Sequence, residues 1–433
     1  MTTTPARSAT RWPGLDTVPS GVRTEVSARI ARKIFHAAVR RLPVTVRDGA
    51  EVVGLGGPEM VVHRPDEFYR RVGSDGLIGF GEAYLTGAWD AEDLGGFLTV
   101  LAAEMPRLVP GWMQKLRAVY VKRPPSMHRN TTDNTRDNIA HHYDLSNDLF
   151  RVFLDETLSY SSALFDTSLT RVVADGRRHL VATPPEGGAE DGGEPLAQAQ
   201  ARKVERLLDQ AGVTEGTRVL EIGTGWGELA IRAARRGATV HSVTLSREQL
   251  ELAEQRVAAA GYADQVDIAL CDYRLVEGEF DAVVSVEMIE AVGHEYWSTY
   301  FQTIDRLLAP GGRVGIQAIT MPHDRMLATR HTYTWINKYI FPGGFLPSVR
   351  ALEEVTAADT SLRISDRLSF GTHYADTLER WDLAFREAHE QVAALGFDAT
   401  FERMWHFYLE YSRAGFASGY LDVQQLTFER TRA

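Results

Sequence analysis

At 433 residues the chain has room for two or three domains of the usual ~100 to 200 residues each, and its 44% hydrophobic and 24% charged residues exclude a disordered polypeptide. No run of about 18 apolar residues offers a membrane span, and Cys271, the only cysteine, excludes an internal disulfide and a cysteine metal cluster. The net charge of −11 is uneven: residues 1 to 130 hold 18 Lys and Arg against 13 Asp and Glu, net +5, and the rest hold 29 against 45, net −16. The amino-terminal part is thereby expected to lean on an anionic surface that the acidic remainder avoids.

Residues 1 to 19, rich in Thr, Pro and Ser and without an apolar signal core, read as a flexible tail of a cytoplasmic protein. Residues 20 to 123 read as an accessory domain. It begins with a basic amphipathic helix from Val22 to Leu42, with Val26, Ile30, Ile34, Phe35 and Ala38 on one face. Short strands follow over Val44 to Val62, then a mixed helical region. The stretch Gly81 to Asp90 carries no catalytic logic by itself. Trp112, Lys115, Arg117, Tyr120, Lys122 and Arg123 combine aromatic and basic groups in a manner that suits either a headgroup interface or a core-facing helix with a solvated rim. Residues 124 to 138 are polar and turn-rich and read as a linker. His141 and His142 are neighbours in sequence, would not face a common point on a helix, and suggest no metal site. Residues 184 to 195, with four acids and four glycines, read as a mobile acidic loop.

From Leu196 helix and strand patterns alternate. Helices are expected at 197 to 211, 228 to 236 and 246 to 260, with strands at 218 to 222, 239 to 243, 266 to 270, 280 to 286 and 312 to 318. This is the rhythm of an α/β fold with an open, mostly parallel sheet. The first strand runs into Gly223, Gly225 and Gly227, whose backbone freedom lets a ligand approach the main chain beside a helix amino end. Cys271 is expected to be a buried strand-end residue. A dinucleotide fold would end its second strand in an acid for the ribose hydroxyls. Here that strand leads instead into Thr244, Leu245 and, further on, Gln249. Glu221 and the run Cys271-Asp272-Tyr273 are arranged as in enzymes that use S-adenosylmethionine.

Several stretches, in order, resemble the cyclopropane-fatty-acid-phospholipid synthase family. They are His142 to Asp148, Tyr160 to Ala163, Leu220 to Gly227, Val243 to Gln249, Asp272 to Arg274, Ser285 to Gly293, Trp335 to Pro342, Leu346 to Ser348, Phe370 to Tyr374 and Arg403 to Trp405. The resemblance implies a Rossmann-like S-adenosylmethionine-dependent methyltransferase domain over residues 139 to 433, with a smaller amino-terminal accessory domain matched more loosely. It places Tyr160, Ser161, Glu221, Gly223, Gly225, Thr244, Leu245, Gln249, Asp272 and Tyr273 around the cofactor. It also implies methyl transfer to an acyl-chain double bond, with the resulting cation deprotonated by a bound bicarbonate held by Glu290, Ile319 and Tyr374. Ser162 stands where the family has Cys, and Gln317 where it has His. Glu290 is then an orienter of bicarbonate rather than the base.

A cation also demands a dry, aromatic pocket. Trp335, Tyr339, Phe341, Tyr374, Trp381, Trp405, Phe407, Tyr408 and Tyr411 are candidates for that wall. Proton loss from the new methyl could close a cyclopropane ring; a hydride shift first would give a 10-methylenestearoyl chain from an oleoyl one. The Tyr160 to Phe165 variant, Gln317 and Ala291 look more like the actinobacterial branch that starts tuberculostearic acid synthesis. The implied partners are an unsaturated membrane phospholipid and the inner membrane surface, met peripherally. A partner reductase and self-association are compatible with this picture, and nothing points to nucleic acid. Two alternatives stand beside it: methylation of a soluble small molecule, and a noncatalytic lipid-binding protein motivated by Ser162 and Gln317.

Overall fold

The computed structural model describes residues 12, 14 to 108, 146 to 174, 177 to 183 and 193 to 431. The aromatic and basic stretch around Trp112, the linker at 124 to 138, His141, His142 and most of the acidic loop lie outside the described residues. The chain divides into two compact units. One joins residues 1–120 to Gly396–Ala414, and the other joins Val121–Leu395 to Gly415–Ala433.

In the first unit a four-stranded sheet carries β1 (Thr45–Asp48), β2 (Glu51–Gly54), β3 (Glu59–Val62) and β4 (Trp89–Ala91) in the order β2-β1-β3-β4. The helix Val22–Val39 is held to the β1–β2 hairpin by a polar cluster. His36 Nε2 and Asp48 lie 3.0 Å apart, Tyr69 donates to Asp48 at 2.8 Å, and Arg32 pairs with Asp48 at 3.0 Å. The expected apolar face of this helix is divided. Phe35 packs edge-on against Phe68, whereas Val26 and Ile30 are each 52% exposed. The expected flexible tail is packed over its last part. Leu15 is buried, and its carbonyl accepts from Arg71 at 2.6 Å; Arg71 is itself only 1% exposed and takes a second bond from Nε to Glu67.

Gly81 to Asp90 has a packing role. Trp89 is fully buried and donates to the Phe80 carbonyl at 2.9 Å, and Tyr84 meets Phe407 at 5.2 Å between ring centroids. Arg403 lies over the Tyr84 ring at 4.1 Å and donates to the Tyr84 carbonyl and Asp90. These bonds tie residues 396 to 414 to the first unit, so the expected second domain of 139 to 433 is interrupted there.

The second unit is built on a nine-stranded sheet. Its strands are β5 (Ser168–Ala174), β6 (Arg177–Thr183), β7 (Arg218–Ile222), β8 (Thr239–Thr244), β9 (Val266–Leu270), β10 (Phe280–Val286), β11 (Leu308–Thr320), β12 (Leu362–Ser369) and β13 (Asp422–Arg430), in the order β5-β6-β12-β13-β11-β10-β7-β8-β9. From β11 to β9 all neighbours are parallel, as the alternating pattern predicts. The antiparallel β13 and the strands beyond it extend the sheet on the other side. The chain leaves β7 toward β8 on one side and later returns as β10 on the other. Such a reversal opens a crevice at the carboxyl ends of the strands, where α/β folds bind ligands. Helices cover both faces: Leu207 and Leu208 of Leu196–Gln210 pack with one apolar cluster, and Tyr300, Phe301 and Ile304 of Trp297–Leu307 with another. Glu194, which the acidic loop was expected to leave mobile, is instead fixed to Arg202, while Arg380 donates to its carbonyl. Among the described residues no helix is long and apolar enough to cross a membrane.

Gly79 allows the helices Pro65–Asp75 and Leu77–Leu85 to meet, since a Cβ there would lie 1.9 Å from the Arg71 carbonyl oxygen. Gly79→Ala is expected to destabilise the first unit by about 1 to 3 kcal/mol, the usual range for overpacking. Denaturant unfolding followed by tryptophan fluorescence measures this, and an unchanged midpoint would contradict the close approach.

Candidate active site

At the carboxyl ends of β7, β8 and β10 lies a cavity of about 190 Å³. Tyr160, Ser161, Glu221, Gly223, Gly225, Thr244, Leu245, Gln249, Asp272 and Tyr273, ten residues spread over more than a hundred positions, all line it. Gly223, Gly225 and Gly227 have φ of 97°, 51° and 87°, values that side chains rarely adopt. Glu221 is buried beside the turn. Its carboxyl accepts from Ser242 at 2.5 Å, Ser242 shares a bond with Thr224 of the loop, and burial pushes the Glu221 carboxyl up to about 8. A neutral acid thus braces the glycine turn. Thr244 donates to the Gln249 side-chain oxygen at 3.0 Å, which commits that oxygen and keeps the amide N–H groups as donors. Burial would raise Asp272, but bonds from Arg274 outweigh it and hold the carboxylate low. Cys271, expected to be a buried strand-end residue, is half-buried: it packs against the core cluster and also lines the cavity, and burial pushes its thiol up, away from the reactive thiolate.

Trp226 within the glycine loop donates to Asn147 at 2.8 Å and packs on Phe150. Phe150 in turn meets Tyr160, so the helix Asn147–Phe153 places that tyrosine on the cavity. Tyr160 stacks on the fully buried Trp381 at 5.3 Å, and Trp381 stands edge-on to Tyr374 at 6.2 Å. Of the expected aromatic wall, Trp405, Phe407, Tyr408 and Tyr411 belong instead to the first unit, where their helix carries Arg403. Trp335 and Tyr339 pack on each other at 5.3 Å.

None of Ser162, Glu290, Gln317, Ile319 and Tyr374 lines the cavity, yet Glu290 is one of a pair of acids to which the other four are bonded, and the acid that joins most of them was not singled out from sequence. Glu287 follows β10, is half-buried and lines the cavity. Tyr374 donates to its Oε2 at 2.6 Å, and the Gln317 amide and the Ser162 backbone N–H donate to its Oε1 at 2.8 and 3.0 Å. The Gln317 oxygen accepts from Gln425, which leaves the Gln317 N–H groups to face Glu287 and the Ser162 carbonyl. The Ser162 hydroxyl is committed to the Ala163 carbonyl, so its main chain, not its side chain, serves the acid. Glu290 Oε1 accepts from the Ile319 N–H at 2.5 Å. Its other oxygen is buried without a hydrogen bond. The signal available in sequence was a second acid three positions before Glu290, at a strand end where a carboxylate finds little water.

Electrostatics separates the two acids. Burial raises both, and Glu287 raises Glu290 further, to about 8. Glu287 alone has three donors and the nearby charge of Lys203 in favour of its anion. Close carboxyls do not both ionise, and the three donors and Lys203 favour the anion on Glu287 over one on Glu290. Lys203, which is wholly buried, donates to Ser161 at 2.6 Å and is lowered by burial to about 8.

The sheet order, the glycine turn and the cavity define an S-adenosylmethionine-dependent methyltransferase. Residues 130–426 match the family described as mycolic acid cyclopropane synthetase, and the chain belongs to it. It is 51% identical over 434 residues to the tuberculostearic acid methyltransferase of Mycobacterium tuberculosis, covering 99% of this chain and 98% of the relative. It is 31% identical to the cyclopropane-fatty-acyl-phospholipid synthase of Escherichia coli, over 89% of this chain and 91% of the relative. A solved mycolic acid cyclopropane synthase complexed with SAH and CTAB superposes with a TM-score of 0.58 at 29% identity, over 71% of this chain and 99% of that one. A cyclopropane synthase from Mycobacterium tuberculosis superposes with the same score at 28% identity, over 68% and 97%. The protein is an S-adenosylmethionine-dependent methyltransferase of this family.

Because Glu290 keeps its proton in the fold up to about 8 and has an ordinary value of 4.5 when unfolded, its stabilisation is full below 4.5 and is lost as pH rises through about 8. The wild-type melting temperature should therefore fall between about pH 4.5 and 8 and level off above, and Glu290→Gln should flatten part of that fall. Calorimetry at several pH values compares the slopes, and equal slopes would exclude the raised carboxyl.

Proposed function

We propose that this enzyme methylates the double bond of an oleoyl chain in a membrane phospholipid and gives a 10-methylenestearoyl product. The observation that carries this reading is the end-to-end identity of 51% to a relative named for tuberculostearic acid. S-adenosylmethionine supplies an electrophilic methyl group when bound. The glycine turn, the Gln249 amide and the apolar and aromatic faces of the cavity suit an adenosyl and amino-acid ligand. Tyr160, Ser161, Asp272 and Tyr273 complete its surroundings in this reading.

The protein's part is to keep water out and to steady a cation on the acyl chain. Tyr160, Trp381 and Tyr374 form a continuous aromatic series beside the acid cluster, and ring faces attract positive charge most strongly where water is absent. A hydride shift before proton loss leads to the exocyclic methylene. Direct proton loss closes a ring, a second reading favoured by the Escherichia coli relative named as a cyclopropane synthase. Bicarbonate, the base that the family resemblance implies, does not fit the donors found. Tyr374, Gln317 and the Ser162 N–H are taken by Glu287, and the Ile319 N–H by Glu290.

Membrane contact fits the first helix. Val22, Val26 and Ile30 are exposed four residues apart along Val22–Val39, with Arg29 and Lys33 exposed among and beyond them. Aliphatic side chains that insert at the acyl boundary beside cations that meet anionic headgroups are the two components of peripheral binding.

Incubation with S-adenosylmethionine and oleoyl phospholipid vesicles, followed by mass analysis of the released fatty acids, should show a methylene-branched chain. A cyclopropane product supports the second reading, and unchanged oleate would overturn both. Separately, Val26→Asp combined with Ile30→Asp should reduce sedimentation with anionic vesicles about tenfold or more, as two buried aliphatic contacts are lost. Sedimentation equal to wild type would remove this helix from the membrane contact.

A further inference from the structure

Glu287 has a backbone that a side chain does not choose freely. Its φ is +49°, in the left-handed region, which costs a non-glycine residue on the order of 1 kcal/mol or more. Its amide donates to the Gln317 carbonyl at 2.8 Å, so the β10–β11 ladder continues through the residue while its side chain turns to the Gln317 amide. A strained backbone and a carboxylate met by three donors from three other segments converge on one point of the cavity wall. A buried carboxylate that only filled space would cost more than an apolar side chain of the same volume.

Resting on the methyltransferase reading above, we infer that the Glu287 carboxylate is the base that removes the proton from the cationic acyl chain, in place of a bound bicarbonate. The donors expected to hold a small carboxylate-like anion are present, and the anion they hold is a side chain of the protein. In the step itself, a C–H bond of the newly added methyl group breaks. Its electron pair becomes the π bond to the neighbouring cationic carbon, and the proton passes to Glu287. No oxidant or reductant is consumed, and the proton leaves to water when the product departs.

The three donors have a second effect. A bare carboxylate beside a carbocation would capture it as an ester. Sharing its charge among Tyr374, Gln317 and Ser162 N–H, and fixing both oxygens, lowers its reach as a nucleophile while leaving it basic enough for a strongly acidic C–H. The protonated Glu290 keeps a second negative charge out of the cluster. Lys203, whose charge favours the Glu287 anion, balances it on the cavity side.

The test uses the full chain with oleoyl phospholipid vesicles and S-adenosylmethionine in carbon dioxide-free buffer, with bicarbonate or formate added back. Wild-type turnover should be the same with and without bicarbonate. Glu287→Gly relieves the left-handed backbone and so should fold. It should lose about 100-fold or more in kcat while its affinity for S-adenosylhomocysteine, read by calorimetry, stays within a few fold. Formate or bicarbonate should restore part of that rate by entering the vacated donors, whereas Glu287→Gln, with its amide in place, should be slow and not rescued. Wild-type activity that collapses without bicarbonate, or Glu287→Gln turning over like wild type, would overturn the inference alone. A raised KM for S-adenosylmethionine with kcat kept would assign Glu287 to the cofactor and overturn it too. If the wild type itself methylates no oleoyl chain under any condition, the underlying reading fails and takes the inference with it.

Discussion

The second unit is organised around a carboxylate held out of water. Glu287 sits where β10 ends, and the groups that satisfy it come from an extended segment at Ser162, from β11 at Gln317 and from the helix Gly371–Glu387 at Tyr374. Desolvating such a group costs several kcal/mol unless its lone pairs are met. Each of those segments is thus constrained to a position it would not otherwise need. The helix Gly371–Glu387 does so while also receiving the 158 to 165 segment. Ala163 N–H donates to Thr377 and Phe165 N–H to the neutral His373, which burial holds down at about 4.

Around that point the charges are arranged by environment more than by residue type. Four titratable groups, the buried Lys203 and Glu221 and the half-buried Glu287 and Glu290, stand close to the cavity or its wall. Glu221, bonded by one hydroxyl and raised by burial to about 8, stays neutral and serves the glycine turn. Glu290, pressed by its neighbour's charge, stays neutral and secures the Ile319 main chain. Glu287, though burial raises it too, alone has three donors in favour of its anion. Pairs of acids whose surroundings drive their proton affinities apart are the usual way one fold separates a base from a structural acid at a single pH.

The first unit solves a different problem. Its sheet has four short strands, and its core depends on Trp89, Phe68, Phe97 and the aromatic residues of 396 to 414. That late segment is drawn away from the rest of its own domain because Arg403 finds the Tyr84 carbonyl, the Tyr84 ring and Asp90 together. The buried Arg71, which caps the carbonyls of Gly14, Leu15 and Thr17, similarly draws in a segment whose composition suggests disorder. In both cases a guanidinium with five donors in a fixed fork collects backbone carbonyls that local pattern does not connect.

Local chemistry in the sequence determined the alternation of strands and helices from Leu196 onward and the glycine turn, while the grouping of Tyr160, Ser161, Thr244, Gln249 and Tyr273 near it came from the family resemblance. Those features depend on periodicity and on short motifs, which are written along the chain. The antiparallel β12 and β13, the exposure of Val26 and Ile30, the diversion of Trp405 and Phe407 to the first unit and the place of Cys271 on the cavity were decided by packing. So was the centre of the acid cluster. Sequence marks Glu287 and Glu290 as two acids of the same kind three residues apart, and it offers no measure of how many donors each will find. Their difference arises only when β11, the helix Gly371–Glu387 and the Ser162 main chain close over one of them, because burial turns an ordinary carboxyl into a base only where hydrogen bonds replace the water it has lost.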